Sequence, residues 1–244
     1  MTRTTPAPSA RQTILARIGE ALRVAAPPPH ATATHPGDAA AGGPMLPILA
    51  AEAARPWLPD GGATPEEQLS ILTANLGRLR AEVQRVPDTA AAAAWLAGLA
   101  HDRGWTKVAC HGHPLVDAVT AGLATAAWPV AAGTDFDKHG LAACDAGITA
   151  CEALVAQTGS ILVSSESCGG RALSILPHVH VVVARPDQVV GTLADAFELV
   201  RSRHAGRLPS MLSFITGPSR TGDIERILVL GAHGPKELLL LLVG

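Results

Sequence analysis

The highest density of reactive side chains in the sequence follows a short apolar run at positions 161–163. The segment 164–171 contains hydroxyls, a carboxylate, a thiol, two glycines and a guanidinium, on Ser164, Ser165, Glu166, Ser167, Cys168, Gly169, Gly170 and Arg171. An arginine can bind a carboxylate or phosphate through two parallel hydrogen bonds, and glycines let the backbone approach a ligand closely. We therefore predict that this segment binds a small anion; the alternative is a solvated turn.

A second segment, 157–160, precedes the same apolar run. The hydroxyls of Thr158 and Ser160, together with backbone N–H groups, can surround an anion, and Gly159 permits a tight turn. The alternative is an ordinary turn from a helix into a strand, with a glycine at the end of the helix.

A third segment, 217–225, contains a further arginine. Pro218 can begin a helical turn whose free N–H groups face an anion, with Arg220 adding positive charge. Asp223 can instead orient Arg220 through a charged hydrogen bond and form a structural corner. The candidate ligand residues of this segment are Gly217, Ser219, Arg220, Thr221 and Asp223, and His233, in the turn 232–235, is a further candidate contact.

No metal or cofactor site is predicted in this chain. His178 and His180 alternate along a predicted strand, and His111 and His113 form a second pair, but neither pair has an Asp or Cys at ligand spacing. No C-x-x-C pair occurs among the four cysteines, which argues against an iron–sulfur cluster or a zinc site; they are Cys110, Cys144, Cys151 and Cys168. A serine nucleophile elbow, a P-loop and a dinucleotide-binding glycine pattern are also lacking, so the catalytic residues stay unassigned.

Composition narrows the choice of partner. The net charge is −2, and the sequence has no long run of like charges. We therefore expect no basic surface that would bind nucleic acid or an anionic membrane. The N-terminus lacks the apolar core of a secretory signal, and the apolar run 238–243 is too short to cross a bilayer. We expect a cytoplasmic protein whose partner is a small molecule or another protein.

Two regions differ in their patterning. Residues 11–24 have the apolar spacing of an amphipathic helix, and 25–62 is a Pro-, Ala- and Gly-rich linker. Thr64, Pro65 and Glu67 then begin a long helix that we predict to continue up to Pro87. These patterns predict an N-terminal helix and linker over 1–63 and an α/β domain over 64–244.

Short apolar strands alternate with helices in the second region. Strands are predicted at 108–110, 161–164, 178–184, 211–216, 227–230 and 238–243, and helices from Asp88 through His101 and at 114–127 and 186–204. This alternation predicts a mixed, mainly parallel sheet with helices on both faces, and an antiparallel portion among the last strands. Ligands of such sheets bind beyond the strand ends, so we expect Arg171 and Arg220 to lie on adjacent strand ends.

Five sequence blocks occur in order and together resemble the LUD domain of the lactate utilization protein C family. They are 145–149, 157–160, 170–177, 217–225 and 231–235, and the similarity extends over roughly 64–244. The resemblance implies a fold like that of the phosphosugar isomerase and CoA-transferase superfamily. CoA-transferases of that fold use a Glu in a Ser-Glu-x-Gly turn, and here the corresponding segment 165–169 is one residue longer, which argues against Glu166 as a nucleophile.

The resemblance also implies a role in oxidizing L-lactate to pyruvate together with iron–sulfur partner proteins. Because this chain lacks cluster ligands, the iron–sulfur clusters are expected in partner subunits, and the chain itself is expected to be a subunit without its own redox centre. The alternative is an independent enzyme or sensor that binds a small carboxylate or a phosphorylated metabolite. A third possibility is a folded scaffold whose pocket binds nothing.

Overall fold

The computed structural model describes residues 10–21, 23, 58–124, 126–129, 137–204, 207–221, 229–231 and 233–244. The chain divides into two compact units, Met1–Ala54 and Arg55–Gly244. In the first unit the predicted helix is present as α1 (Ala10–Ala21), on which Ile14, Leu15 and Ile18 are each at least half exposed. Most of the predicted linker, 25–57, lies outside the described residues.

The second unit is built on a parallel sheet of six strands in the order β1–β12–β7–β4–β2–β3. Their bounds are β1 Glu82–Val86, β2 Lys107–Cys110, β3 Ala126–Pro129, β4 Ala146–Thr149, β7 Val179–Ala184 and β12 Glu237–Val243. Every pairing in this sheet is parallel. The predicted mainly parallel α/β architecture is confirmed.

A second sheet contains four strands in the order β8–β5–β6–β9. They are β5 Ala153–Val155, β6 Ser160–Ser164, β8 Val189–Val190 and β9 Leu212–Ile215. Strand β6 is antiparallel to both β5 and β9, so the antiparallel portion lies here. Strands β10 (Arg220–Thr221) and β11 (Val229–Leu230) form a short antiparallel ribbon.

Five described helices accompany the sheets: α2 Pro65–Arg78, α3 Thr89–Asp102, α4 Pro114–Thr120, α5 Lys138–Ala142 and α6 Leu193–Arg203. Helix α2 begins with the predicted capping box. The Thr64 hydroxyl accepts the Glu67 N–H, and the Glu67 carboxylate accepts the Thr64 N–H. Asp88 caps α3 by accepting the Ala91 N–H at 2.7 Å. Within the described part of the chain, no helix is long and apolar enough to cross a membrane.

The run of leucines in β12 explains why this strand lies inside the sheet. Alternate side chains of a strand point to opposite faces. Leu239 and Leu241 pack in the core with α3 and α4, whereas Leu238, Leu240 and Leu242 pack with α2 and the second sheet. Each fully buried leucine contributes about 1.5–3 kcal/mol, so both faces of β12 stabilise the domain.

The predicted long helix up to Pro87 is wrong in its second half. Helix α2 ends at Arg78, Leu79 is its C-cap, and Arg80 has a φ of +66°, which a continuing helix does not allow. Residues 82–86 form the edge strand β1 instead. The four-residue spacing from Leu79 to Val83 is typical of a helix, but in the structure a turn separates the C-cap Leu79 from Val83 in β1.

Two other predicted helices are too long. Helix α4 ends at Thr120, and the last two residues of the predicted helix 114–127 belong to β3. The predicted helix 186–204 begins instead with a 3₁₀ turn and β8, and α6 starts after Thr192, which caps it. Val189 and Val190 are β-branched and favour the strand that pairs with β5.

Candidate functional site

The segment 164–171, called the site loop below, follows the end of β6 and is closed by hydrogen bonds around Ser164. The Ser164 hydroxyl accepts the N–H groups of Glu166 and Ser167 at 3.1 and 2.9 Å. The Cys168 N–H donates to the Ser164 carbonyl at 3.1 Å, and the Ser167 hydroxyl accepts the Ser164 N–H at 2.8 Å. The first half of the site loop is therefore a rigid turn.

The second half of the site loop lies against His111, directly after β2. Gly169 has a φ of +64°, and a Cβ at this position would lie 2.5 Å from the His111 Cβ. His111 is buried, its Nε2 accepts the Ala150 N–H at 3.4 Å, and burial lowers its pKa, with the nearby His113 adding to the effect. A neutral imidazole therefore supports the loop, and only glycine fits above it.

Two charged side chains of the site loop face solvent. Glu166 has 68% of its side-chain area exposed. Arg171 is exposed, and its guanidinium has no hydrogen bond or ion pair with any residue that the structure describes. Since a guanidinium can bind an anion bidentately, Arg171 is free to take a carboxylate or phosphate.

A buried polar cluster lies beneath the site loop, around Glu152 in the connection between β4 and β5. Glu152 is 5% exposed and accepts the Ser164 hydroxyl at 2.5 Å and the Arg203 guanidinium at 2.6 Å. His204 lies with Nε2 3.7 Å from Glu152 and Nδ1 3.8 Å from Glu166. Burial alone would raise the pKa of Glu152. The hydrogen bonds from Ser164 and Arg203 and the nearby positive charge outweigh burial and lower the pKa below its ordinary value, so the carboxyl is ionised.

The thiol of Cys168 is buried in the same region, and burial disfavours its thiolate form at neutral pH. It donates to the carbonyls of Ser164 and Gly170 at 2.9 and 3.0 Å. Burial, opposed by the Gly170 contact and aided by the charge of Glu152, raises the pKa of Cys168 to about 11. Burial likewise raises the pKa of Cys110, Cys144 and Cys151.

The segment 157–160 forms a tight corner at the other end of β6. The Thr158 and Ser160 hydroxyls are 2.7 Å apart, and Ser160 lies 2.7 Å from the Thr216 hydroxyl. Gly159 has a φ of +65°, and a Cβ there would lie 2.8 Å from the Asn75 Cβ of α2. The hydroxyls predicted to hold an anion are thus engaged with protein partners.

The segment that begins at Gly217 lies close to this corner. A Cβ at Gly217 would lie 3.0 Å from the Leu79 carbonyl at the end of α2. Ser219 donates its N–H to the Pro235 carbonyl at 2.9 Å and accepts the Gly231 N–H at 2.9 Å. Arg220 and His233 are exposed, Thr221 lies in β10, and Asp223 is outside the described residues.

The two strand ends that precede Arg171 and Arg220 lie at opposite ends of the β6–β9 pair. Strand β9 pairs with β6 in the antiparallel sense, with Ser164 opposite Leu212 and Ile161 opposite Ile215. The site loop with Arg171 follows the carboxyl end of β6, and the segment with Arg220 follows the end of β9 that lies beside the amino end of β6. The length of β6 separates these two strand ends by about 13 Å, at about 3.3 Å per residue. The expectation of adjacent strand ends is wrong because β6 and β9 are antiparallel.

The histidine pairs also have separate roles. His180 is buried, with its Nε2 2.9 Å from the Thr149 hydroxyl, and burial lowers its pKa to about 4, whereas His178 is exposed. His113 caps α4 by accepting the Leu115 N–H at 3.2 Å. Within the described residues, no group of three or more His, Cys, Asp or Glu side chains is arranged to hold a metal ion.

An open apolar groove exists elsewhere, beside the amino end of β2, between α3 and the segment 122–124. It does not adjoin the site loop and contains His101 as its only titratable lining residue within the described chain.

Sequence reasoning missed the residues beneath the site loop. Glu152 is the single charged residue in the otherwise apolar stretch 146–156, and a charge in such a stretch signals a paired, buried carboxylate. Arg203 and His204 resemble ordinary basic residues in the last turn of a helix. Only the fold brings them against Glu152.

Comparison with known proteins places this architecture in a family. The model of the LUD domain matches residues 69–243. A protein named lactate utilization protein C from Deinococcus radiodurans is 38% identical over 101 residues, which cover 41% of this chain and 47% of that protein. A protein of the same name from Bacillus subtilis is 34% identical over 100 residues, which cover 40% of this chain and 42% of that protein. The matched region spans about half the length of these curated relatives.

A solved structure gives an independent comparison of the fold. The crystal structure of a DUF162 family protein from Deinococcus radiodurans superposes with a TM-score of 0.57 at 24% identity, covering 75% of this chain and 100% of that chain. The family match extends over most of the second unit, including both sheets and the site loop. This chain belongs to the LUD domain family.

Proposed function

We propose that this chain acts in lactate utilization, as a non-redox subunit of a cytoplasmic complex that oxidizes L-lactate to pyruvate with iron–sulfur partner proteins. The oxidation converts the substrate's C–OH into C=O, and its two electrons pass to iron–sulfur centres of the partners while two protons are released. The observation that carries the proposal is membership of the LUD domain family, together with the name shared by the relatives.

The cysteines support the assignment of the clusters to partner subunits. Cluster ligation requires thiolates that converge on one centre. All four thiols are buried, and burial raises the pKa of each. They also lie on different elements: Cys110 ends β2, and Cys144, Cys151 and Cys168 lie after α5, after β4 and in the site loop.

The site loop is the proposed contact for the carboxylate of the substrate or product. Arg171 offers a guanidinium without a partner among the described residues, and a Cβ at the neighbouring Gly170 would meet nothing within 4 Å. Binding of a monocarboxylate by Arg171 requires no redox group in this chain.

Helix α1 is the proposed contact for an iron–sulfur partner, because Ile14, Leu15 and Ile18 expose apolar area. Deleting residues 1–59 is expected to weaken complex formation and to leave the second unit folded. Ile18→Asp should have the same effect, whereas Ala16→Asp adds the same charge to the same helix and serves as the control. Normal assembly of the truncated chain would remove α1 from the interface.

The lactate role is tested genetically. An in-frame deletion is expected to abolish growth on L-lactate as the carbon source and to leave growth on pyruvate unchanged, since only the oxidation step is lost. Complementation with the full chain should restore growth. Normal growth of the deletion strain on L-lactate, with no second LUD domain gene present, would contradict the proposal.

A second candidate is an independent enzyme or sensor for a small carboxylate or a phosphorylated metabolite, favoured by Arg171 alone, whose guanidinium has no partner among the described residues. L-lactate, pyruvate and inorganic phosphate are the probes, and ligand-induced thermal stabilisation is the measurement. Arg171→Ala should abolish the shift, whereas Arg220→Ala, at the opposite end of β6, should leave it unchanged. Equal shifts in both variants would exclude the site loop as the binding site.

A further inference from the structure

The end of helix α6 is connected to the site loop through the buried carboxylate of Glu152. Arg203 donates to the Glu152 carboxylate at 2.6 Å and to the Glu152 carbonyl at 3.2 Å. Glu152 in turn accepts the hydroxyl of Ser164, and that hydroxyl accepts the N–H groups of Glu166 and Ser167. A continuous chain of hydrogen bonds therefore extends from α6 to the backbone of the site loop.

His204, the C-cap of α6, lies between two carboxylates. Its Nε2 is 3.7 Å from Glu152 and its Nδ1 is 3.8 Å from Glu166, and both distances are longer than a hydrogen bond. The His204 side chain is 9% exposed, and its Nε2 is buried without a hydrogen-bond partner among the described residues. A neutral imidazole has one N–H and can donate to only one carboxylate, whereas an imidazolium has two and can donate to both.

Two acidic groups and one cation lie close to His204. Glu152 and Glu166 are the acidic groups that face its two nitrogens, and Arg203 is the neighbouring cation on its own helix. Cys168, next in line to Glu152, is neutral, because burial raises its pKa to about 11. Arg207 contacts His204 through the backbone, donating its N–H to the His204 carbonyl at 3.0 Å.

We propose that Arg203 and His204 are positioning residues of the site loop, acting through Glu152 and Glu166, and that their hold on the loop tightens when His204 carries a proton. Histidine is the side chain that changes charge between about pH 5 and 8. Protonation adds a second donor without changing the fold, and it draws Glu166 toward α6. This inference rests on the proposed binding role of the site loop, which it provides with a proton-dependent geometry.

Hydrogen exchange measured by mass spectrometry on the full chain tests the proposal. The readout is the protection factor of the peptide containing the Glu166, Ser167 and Cys168 amides, each normalised to the intrinsic rate at the same pH. Protection at pH 5.5 should exceed protection at pH 8 by about tenfold, the factor expected for one added charge-assisted hydrogen bond. Glu152 is ionised at both values because its pKa is lowered, so its own titration does not contribute.

Two variants assign the effect to His204. His204→Gln cannot be protonated, and Glu166→Ala removes the acceptor that a second donor would reach, so both variants should lose the pH dependence. His101→Gln is the matched control, because His101 also lies beside a carboxylate, that of Asp102 at 3.3 Å, but is 89% exposed and remote from the site loop in sequence. If His204→Gln fails to fold, Glu166→Ala still tests the proposal, since the Glu166 side chain is 68% exposed.

The outcomes separate this inference from the proposed function. Equal protection at the two pH values in the wild type, or an unchanged pH dependence in Glu166→Ala, would overturn the positioning role. Neither lactate nor a partner protein enters the measurement, so failure of the lactate role leaves the result unaffected. Conversely, a confirmed pH dependence with no lactate phenotype would keep the positioning role and remove the lactate assignment.

Discussion

Replacing Glu152 by Gln tests whether the buried carboxylate holds the second sheet and the site loop together. The Gln side chain has nearly the same volume and can still accept the Ser164 hydroxyl, so the substitution removes the charge and leaves the packing. Two hydrogen bonds to the carboxylate, from Ser164 and Arg203, become bonds to a neutral amide. Hydrogen bonds to charged groups contribute about 1.5–3 kcal/mol, and weakening two of them is expected to lower the free energy of unfolding by about 2 kcal/mol.

The assay is urea unfolding followed by circular dichroism, with Glu237→Gln as the matched control. Glu237 is also bonded to an arginine at 2.6 Å, that of Arg103, but its side chain is 51% exposed. Exposed ion pairs contribute at most about 1 kcal/mol, so the control should change stability by less than that amount. Equal losses in the two variants would refute the argument that burial makes the Glu152 contacts strong.

The pH dependence gives a second check on the same variant. The folded-state pKa of Glu152 is lower than its ordinary value, so its stabilising contribution is fully present above the unfolded pKa and is lost as the pH falls through the folded one. The difference between wild type and Glu152→Gln should therefore shrink as the pH falls below the ordinary pKa range of a glutamate. A difference that grows over that acidic range would contradict the direction of the pKa shift.

Three further predictions concern the backbone and the buried groups. Gly169→Ala should destabilise the domain by at least about 1 kcal/mol more than Gly104→Ala, because both have a φ near +64° but only Gly169 meets a neighbour within 4 Å; equal losses would exclude the contact. Asp145→Asn should lower stability at neutral pH and less so in acid, because three hydrogen bonds from 106–107 outweigh burial and lower the pKa of Asp145; a pH-independent loss would be inconsistent. Cys168 and Cys151 should resist iodoacetamide at neutral pH until urea unfolds the chain, and rapid labelling of the native protein would contradict their burial.

Much of the fold is predictable from the sequence because the main parallel strands are apolar on both faces. The run 238–243 and the valines of 179–183 have no other stable location than the interior of a covered sheet. The helix starts after Thr64 and Asp88 are predicted correctly from their capping residues, whereas the cap at Thr192 is missed. Strand β1 was not predicted, because its spacing continues that of α2 and the change in backbone direction at Arg80 has no signal in residue type.

The candidate site was predictable in composition but not in arrangement. The site loop is recognisable from its carboxylate, glycines and arginine on a few consecutive residues. Its separation from Arg220 depends on the antiparallel pairing of β6 with β9, which is determined by contacts distant in sequence. Glu152 and His204 are likewise joined only by the fold, and no local pattern relates two residues so far apart.

The most direct test of the proposed function is affinity purification of the tagged chain from its native cells grown on L-lactate. The eluate is assayed for iron and for L-lactate-dependent reduction of an artificial electron acceptor. We expect iron-containing partner proteins and activity with the full chain, and loss of both when residues 1–59 are absent. A full chain that elutes alone, without iron and without lactate-dependent activity, while the same cells contain that activity in other fractions, would contradict the assignment of this chain to a lactate-oxidizing complex.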